Sequence, residues 1–145
     1  RIVANLRQDG HEVYDFRHPA DAYDNPTGVT EGFWWSMLDP DWQYWENRTY
    51  RACLQGHTVA ALIFQSDWQA MQWADTGVLL LPSGRSAHIA AGYFVGAGKE
   101  LHVLLTDHQE PELMDLMATA IPVELGELLA ALAQPARESM DGRPS

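Results

Sequence analysis

The segment from Leu79 to Gly92 constrains the fold of this chain more than any other. An apolar run, Leu79–Leu81, passes into a Ser/Gly loop at 82–86, and small and apolar residues follow. The pattern predicts a buried strand, a tight loop and a helix that lies close against a sheet. Such a loop presents backbone N–H groups and a helix N-terminus beyond the strand, an arrangement that favours an anion such as a phosphate.

Strands and helices alternate along the rest of the chain, which predicts an α/β fold with a parallel sheet covered on both faces. Ligands of such sheets bind beyond the carboxyl ends of the strands. We therefore expect the loop at 82–86 and the segment beginning at Arg17 to face one site. The predicted helices are 1–9 (ending at Gly10), 47–55, 58–74, 87–98, 110–118 and 125–132, and the predicted strands are 11–16, 77–82, 101–106 and 120–123.

Length and composition predict one globular domain, at 1–134, because 46% of the 145 residues are apolar. The tail at 135–145 contains two prolines and the acidic residues Glu138 and Asp141, and we predict that it is disordered. The long segment 17–46 has little periodicity. Its tryptophans argue against disorder, and long loops in compact domains are usually functional.

The net charge of −11, with 20 acidic and 9 basic residues, excludes some partners. Without a run of Lys or Arg, we expect no nucleic-acid polymer and no membrane as a partner. Cys53 is the only cysteine, so no intramolecular disulfide forms and a reducing, cytoplasmic location is expected. We find no signal-peptide pattern, and we expect no metal and no cofactor.

Asp67 is the first candidate for chemistry, because three-and-four spacing places it on an apolar helix face. A carboxylate is costly to bury there unless it is paired or used, and desolvation raises its pKa. Asp67 either hands a proton to a leaving group near neutral pH or caps a backbone group. The residues predicted to share its face are Ala60, Ile63, Phe64, Met71 and Ala74.

The loop supplies further candidates, Ser83, Gly84, Arg85 and Ser86, as an anion-binding group. Ser86 is also predicted as the N-cap of the next helix, a role compatible with ligand binding. Arg85 contacts a ligand or is solvent-exposed. His88, at the second position of the predicted helix, orients a phosphate or hydroxyl, or is an ordinary surface histidine.

Arg17, Trp34 and Trp35 complete the candidates. Arg17 follows a predicted strand at the functional edge, where it is a ligand contact or a structural residue. Trp34 and Trp35 wall a pocket for a flat base, or they form a hydrophobic cluster within the loop.

Several segments resemble the nucleoside 2-deoxyribosyltransferase superfamily, which includes 2'-deoxynucleoside 5'-phosphate N-hydrolases and related nucleotide N-glycosidases. The resemblance covers roughly residues 1–130. It implies a flavodoxin-like (Rossmann-like) three-layer fold, cleavage of the bond between a nucleobase and C1' of a (deoxy)ribose, and a homodimer or higher homo-oligomer. The similar segments are Ser66–Asp75, Val78–His88 and Gly92–Lys99, with Gly10–Arg17 and Gly32–Trp35 resembling a bacterial and phage branch.

The resemblance also implies roles for single residues. The family's nucleophile is a glutamate in the first turn of the helix after the Ser/Gly loop, and it forms a glycosyl-enzyme. That glutamate corresponds to position 90, where this chain has Ala90. An aspartate on the preceding helix handles the proton of the base, and Asp67 matches it. The loop serine that holds the 5'-phosphate corresponds to Ser86, helped by Ser83, Gly84 and Arg85.

Two departures qualify what the resemblance implies. Ala90 indicates either a position changed to trap a substrate or a member that has lost the chemistry and only binds. The family also begins with a central strand, and none precedes Arg1 here, so we expect this chain to lack that strand. The expected activity is cleavage or transfer at a (deoxy)nucleoside 5'-monophosphate, with this chain inactive. The alternatives are a non-catalytic nucleotide-binding module and a partner-binding domain.

Overall fold

The computed structural model describes residues 1–19 and 32–135. The chain divides into two compact units, Arg1–Trp73 and Ala74–Ser145. Within the described residues, five α-helices and a parallel two-stranded sheet make the protein α/β. The predicted tail lies outside these residues, apart from residue 135.

All the regular secondary structure in the described part of the first unit is helical. Its α-helices are α1 (Ile2–Gln8), α2 (Asn47–Gly56) and α3 (Thr58–Trp73). Gly10 has a φ of +94°, a left-handed conformation that glycine adopts without steric cost, so the predicted end of the first helix is confirmed. Short 3-10 helices at Trp35–Met37 and Trp42–Tyr44 lie between α1 and α2.

The predicted strand at 11–16 is wrong. Residues 11–15 have no regular secondary structure, Phe16 lies in a turn, and the segment pairs with no strand among the described residues. Its backbone is held by other groups, since the Arg7 guanidinium donates to the carbonyl oxygen of Val13 at 2.9 Å. An extended segment becomes a strand only when a neighbour completes its ladder, and alternation in the sequence does not supply that neighbour.

The buried stripe of α3 runs through Ala60, Ile63 and Ser66, and Asp67 is half-buried beside it. Phe64, predicted to share the buried face, is 65% exposed and stacks on Trp68 with ring centroids 6.2 Å apart. The packed face is therefore rotated slightly from the predicted one, and it includes a serine that apolar spacing does not reveal.

The second unit contains the sheet. Strands β1 (Thr76–Leu81) and β2 (Glu100–Leu105) are parallel, which confirms the predicted direction of these two strands. The predicted third strand at 120–123 is reduced to an isolated parallel bridge between Ala120 and His102. Three backbone hydrogen bonds join the two segments: Thr119 donates to Leu101 at 2.7 Å, and Val103 and Leu105 donate to Ala120 and Pro122, each at 3.0 Å.

Helix α4 (Arg85–Gly96) begins two residues before the predicted start and packs on the sheet. Helix α5 (Leu125–Leu132) matches its prediction, and its Leu128 is fully buried. The predicted helix at 110–118 is instead a 3-10 helix at Leu113–Met117. Four of its five residues are exposed, so no apolar face supports a longer α-helix. The buried core of the unit is Leu79, Leu81, Ala91, Leu101 and Val103.

Among the described helices, none combines the length and the apolar character needed to cross a membrane.

Gly77 provides a test of the packing between α4 and β1. A Cβ atom at this position would lie 2.8 Å from Cγ of Phe94, so we expect Gly77→Ala to lower the free energy of unfolding. Overpacking of this kind costs about 1–3 kcal/mol. Urea denaturation followed by circular dichroism measures the change.

Gly92→Ala is the matched control, because a Cβ atom there meets nothing within 4 Å. Gly92 lies in the interior of α4, so we expect a gain of about 0.5–1 kcal/mol. Equal stability of Gly77→Ala and the unchanged protein would contradict the close approach.

Candidate functional site

Asp67 belongs to a polar cluster with Tyr14 and Ser66. The Tyr14 hydroxyl donates to Oδ1 of Asp67 at 2.8 Å, and the same hydroxyl lies 3.1 Å from Oγ of Ser66. Helix α3 supplies two successive residues, and the irregular segment after α1 supplies the tyrosine. Ser66 is 3% exposed, so the cluster continues into the buried face of the helix.

Burial is the main electrostatic influence on this cluster. It raises the pKa of Asp67, as the sequence predicts, and the hydrogen bond from Tyr14 opposes the rise. Burial also raises the pKa of Tyr14 to about 12, assisted by Asp67 and opposed by the hydrogen bond to Ser66. Tyr14 is therefore a protonated donor at neutral pH, and Asp67 retains its proton to a higher pH than an ordinary carboxyl. Such a group is suited to general-acid catalysis.

The alternative interpretation of Asp67, as a cap for a backbone group, finds no support. In the part of the chain that the structure describes, its carboxyl group bonds to the Tyr14 side chain and to no backbone group. Sequence reasoning did not select Tyr14, which lies 53 residues from Asp67. An aromatic residue in a segment mistaken for a strand carries no local signal of that contact.

The Ser/Gly loop leads from β1 into α4. Thr106, after β2, donates through its backbone N–H to the carbonyl oxygen of Leu81 at 3.4 Å, and its hydroxyl donates to the same oxygen. Gly84 is the N-cap of α4, so the predicted cap at Ser86 is wrong. Ser86 is the second helical residue because the extended backbone of Gly84 already begins the helix. Gly84, Arg85 and Ser86 are exposed, and Ser83 is half-buried.

The Ser/Gly loop leads directly into the first turn of α4. No side chain caps it in the described structure, and it contains no acidic residue. Its leading N–H groups are thus available to an acceptor from outside the helix.

His88 and Ala90 lie further along α4 than predicted. His88 is the fourth helical residue and is half-buried, and Ala90 is the sixth, in the second turn. His88 lines a cleft of about 100 Å³ in the second unit. Small-molecule sites usually enclose about 300–1,000 Å³, so this cleft is too small for a nucleotide. Its other lining residues include Leu79, Ala91, Leu101, Val103, Glu112 and Asp115.

Arg17 is exposed and lies in a turn of the first unit. Its backbone N–H donates to Oδ1 of Asp15 at 3.0 Å, and its guanidinium lies 5.9 Å from the centroid of the Phe16 ring. A Cβ atom on Gly32 would meet Cα of Arg17 at 3.0 Å, so only glycine allows this approach without a shift.

The two candidate tryptophans have different surroundings. Trp35 is the centre of an aromatic cluster, with ring centroids 4.8 Å from Phe33, 5.8 Å from Trp45 and 6.0 Å from Tyr50. This arrangement agrees with the hydrophobic-cluster interpretation. Trp34 is 63% exposed. Trp45 donates from its indole Nε1 to Oδ2 of Asp39 at 2.7 Å, which lowers the pKa of Asp39.

The sequence-predicted residues are divided between the two units. Asp67, Arg17, Trp34 and Trp35 belong to the first, whereas the loop residues, His88 and Ala90 belong to the second. No group of three or more His, Cys, Asp or Glu side chains within residues 1–19 and 32–135 is arranged to hold a metal ion.

No family model, curated protein or solved structure gives a significant match to this chain.

The Asp67→Asn variant tests the raised pKa of Asp67 through the pH dependence of the free energy of unfolding. Because the pKa of Asp67 is higher in the folded chain than the ordinary value of about 3.9, Asp67 stabilises the fold fully below that ordinary value. This contribution is lost as the pH rises through the folded-state pKa. The asparagine side chain of the variant has no such ionisation, so we expect the stability of the variant relative to the unchanged protein to increase with pH across this window.

Urea denaturation midpoints at a series of pH values measure the difference. Asp75→Asn, at an exposed carboxyl, is the control. If the stabilities of Asp67→Asn and of the unchanged protein changed in parallel with pH, the raised pKa of Asp67 would be contradicted.

Proposed function

We propose that this chain is a nucleotide N-glycosidase scaffold of the nucleoside 2-deoxyribosyltransferase type, with a flavodoxin-like three-layer fold. It binds a (deoxy)nucleoside 5'-monophosphate and lacks the nucleophile that the chemistry needs. The observation that carries the proposal is Asp67, a partly buried carboxyl with a raised pKa, held through Oδ1 by Tyr14.

A protonated carboxyl suits the departure of a nucleobase. When the bond between C1' and the base nitrogen breaks, its electron pair moves to the base, which then needs a proton. Asp67 supplies that proton from Oδ2, the oxygen that Tyr14 does not contact. General-acid assistance of this kind contributes typically about 10²–10⁴-fold to a rate.

The first turn of α4, in the second unit, favours an anion such as a phosphate. Its N–H groups have no side-chain cap in the described structure, and no acidic residue repels an anion there. Ser83, Ser86 and Arg85 add hydroxyl and guanidinium donors beside these groups. Because the chain carries a net charge of −11, these local donors must overcome an unfavourable overall field.

Ala90 determines what this chain does with its ligand. Retaining glycoside chemistry needs a carboxylate that bonds to C1' while the base leaves, and then water or a second base takes the glycosyl group. A methyl group provides no electron pair for that bond. The proposed result is a chain that binds its nucleotide and turns it over extremely slowly.

A second candidate function is nucleotide binding without cleavage of the glycosidic bond. Ala90 itself favours this alternative, a non-catalytic nucleotide-binding module. The proposal also includes a cytoplasmic location, a homodimer or higher homo-oligomer, and neither a nucleic-acid polymer nor a membrane as partner.

Ala90→Glu distinguishes the two functions. We expect it to release free base from at least one nucleoside 5'-monophosphate, about three orders of magnitude or more faster than the unchanged chain. Chromatography of the base across a panel of nucleotides measures the release. Ala90→Gln is the control of similar size without a nucleophilic carboxylate.

The outcomes separate the hypotheses. Release by Ala90→Glu supports the glycosidase scaffold. Binding without release by any variant favours the non-catalytic module. Neither binding nor release for any nucleotide or nucleoside overturns both and leaves a partner-binding domain.

Ser86→Ala tests the phosphate role. We expect its Kd for a nucleoside 5'-monophosphate to rise about tenfold, since a hydrogen bond to a charged group contributes about 1.5–3 kcal/mol. Its Kd for the matching nucleoside should not change. Titration calorimetry measures both values, with Ser36→Ala, an exposed serine of the first unit, as the control. An equal loss for nucleotide and nucleoside would exclude a phosphate contact at Ser86.

A further inference from the structure

The hydrogen bonds of Ser66, Tyr14 and Asp67 can run in two directions, and the burial of Ser66 decides between them. A tyrosine hydroxyl has one proton, and in the first direction Tyr14 donates that proton to Oδ1 of Asp67, 2.8 Å away. Ser66 Oγ lies 3.1 Å from the same hydroxyl. Because its own proton is used in this way, the Tyr14 oxygen serves Ser66 as an acceptor, so Ser66 must be the donor.

The opposite direction leaves a buried group unsatisfied. If protonated Asp67 donated from Oδ1 to Tyr14, Tyr14 would have to donate to Ser66. The Ser66 proton would then need another acceptor, and the described residues offer Ser66 Oγ only the Tyr14 hydroxyl. Ser66 is 3% exposed, so solvent does not provide one either. A buried donor without an acceptor is unfavourable, which favours the first direction.

We propose that Ser66 and Tyr14 form a one-directional relay, from Ser66 Oγ–H to Tyr14 Oη–H to Oδ1 of Asp67, that keeps the proton of neutral Asp67 on Oδ2. Oδ1 is then the carbonyl oxygen of the acid, because it accepts the Tyr14 proton. Oδ2 has no hydrogen-bond partner in the part of the chain that the structure describes. Asp67 therefore meets a ligand as a donor.

The relay acts in both protonation states of Asp67. The pKa of Tyr14 is raised to about 12, so its hydroxyl stays protonated and donates to the carboxylate as well as to the acid. Ser66 polarises that hydroxyl and strengthens its donation. Tyr14 and Ser66 are thus positioning residues, which act on a ligand through Asp67.

The orientation of the proton also limits the class of ligand. The group that faces Oδ2 must accept a hydrogen bond, as an unprotonated ring nitrogen or a carbonyl oxygen of a heterocycle does, whereas an ammonium group cannot. This assignment of a nucleobase acceptor rests on the proposed function. The relay itself does not, because it follows from the three side chains alone.

Infrared spectroscopy tests the position of the proton directly. In protein labelled with ¹³C at the aspartate carboxyl, subtraction of the Asp67→Asn spectrum isolates the C=O stretch of protonated Asp67. We expect Tyr14→Phe to shift this band to higher frequency, because the carbonyl Oδ1 loses its donor. An unchanged frequency would overturn the proposal, since it would place the proton on Oδ1.

A double-variant cycle tests the order of the relay. Titration of the Asp67 carboxyl by ¹³C NMR should show a higher midpoint in Tyr14→Phe, because the hydrogen bond that stabilises the carboxylate is lost. Ser66→Ala should raise the midpoint by a smaller amount, and by nothing further in the Tyr14→Phe background. Equal shifts in both backgrounds would show that Ser66 does not act through Tyr14 and would overturn the relay.

Tyr44→Phe, at a tyrosine that is 78% exposed, is the matched control and should leave the midpoint unchanged. Ser66→Ala keeps the test decisive if Tyr14→Phe does not fold, because no shift in that variant overturns the relay. The infrared and NMR measurements do not require the protein to convert a substrate. If the relay is present but no nucleotide binds and no base is released, the proposed function alone is overturned. If a nucleotide binds or a base is released but the relay is absent, the relay alone is overturned.

Discussion

The parallel pairing of β1 with β2 is the constraint on which the second unit depends. Leu79 lies opposite Val103 and Leu81 opposite Leu105, and α4 covers this face through Ala91. Because Gly77 has no Cβ atom, the Phe94 ring can lie directly against the strand. The Ser/Gly loop joins the carboxyl end of β1 to the uncapped first turn of α4.

The first unit depends on a different constraint, the cost of placing a carboxyl group beside a buried helix face. Two features of Asp67 offset the free-energy cost of its burial. It retains its proton to a higher pH than usual, and Tyr14 donates to one of its oxygens. Ser66 extends the arrangement into the buried face. Burial alone explains the bond from Tyr14, whereas Oδ2 of Asp67 has no hydrogen-bond partner among the described residues and supports the functional interpretation.

Much of the secondary structure could be predicted because its causes are local. Gly10 ends α1 through a positive φ, and the small residues of α4 allow it to approach the sheet. The predictions were wrong where packing against another segment decides the secondary structure. The segment 11–16 found no strand to pair with, and the segment 110–118 buried no face and formed only a 3-10 turn at Leu113–Met117. The cap at Gly84 instead of Ser86 reflects backbone conformation that residue type alone does not specify.

The sequence by itself determined the α/β pattern, the small-residue helix after the loop, the upward direction of the Asp67 pKa and the absence of a carboxylate at Ala90. These properties follow from residue type and spacing along one element. Only the tertiary structure decided that Tyr14 contacts Asp67 and that Trp35 packs within an aromatic cluster. Contacts between segments 53 residues apart, as for Tyr14 and Asp67, depend on how whole elements pack, and no local pattern encodes them.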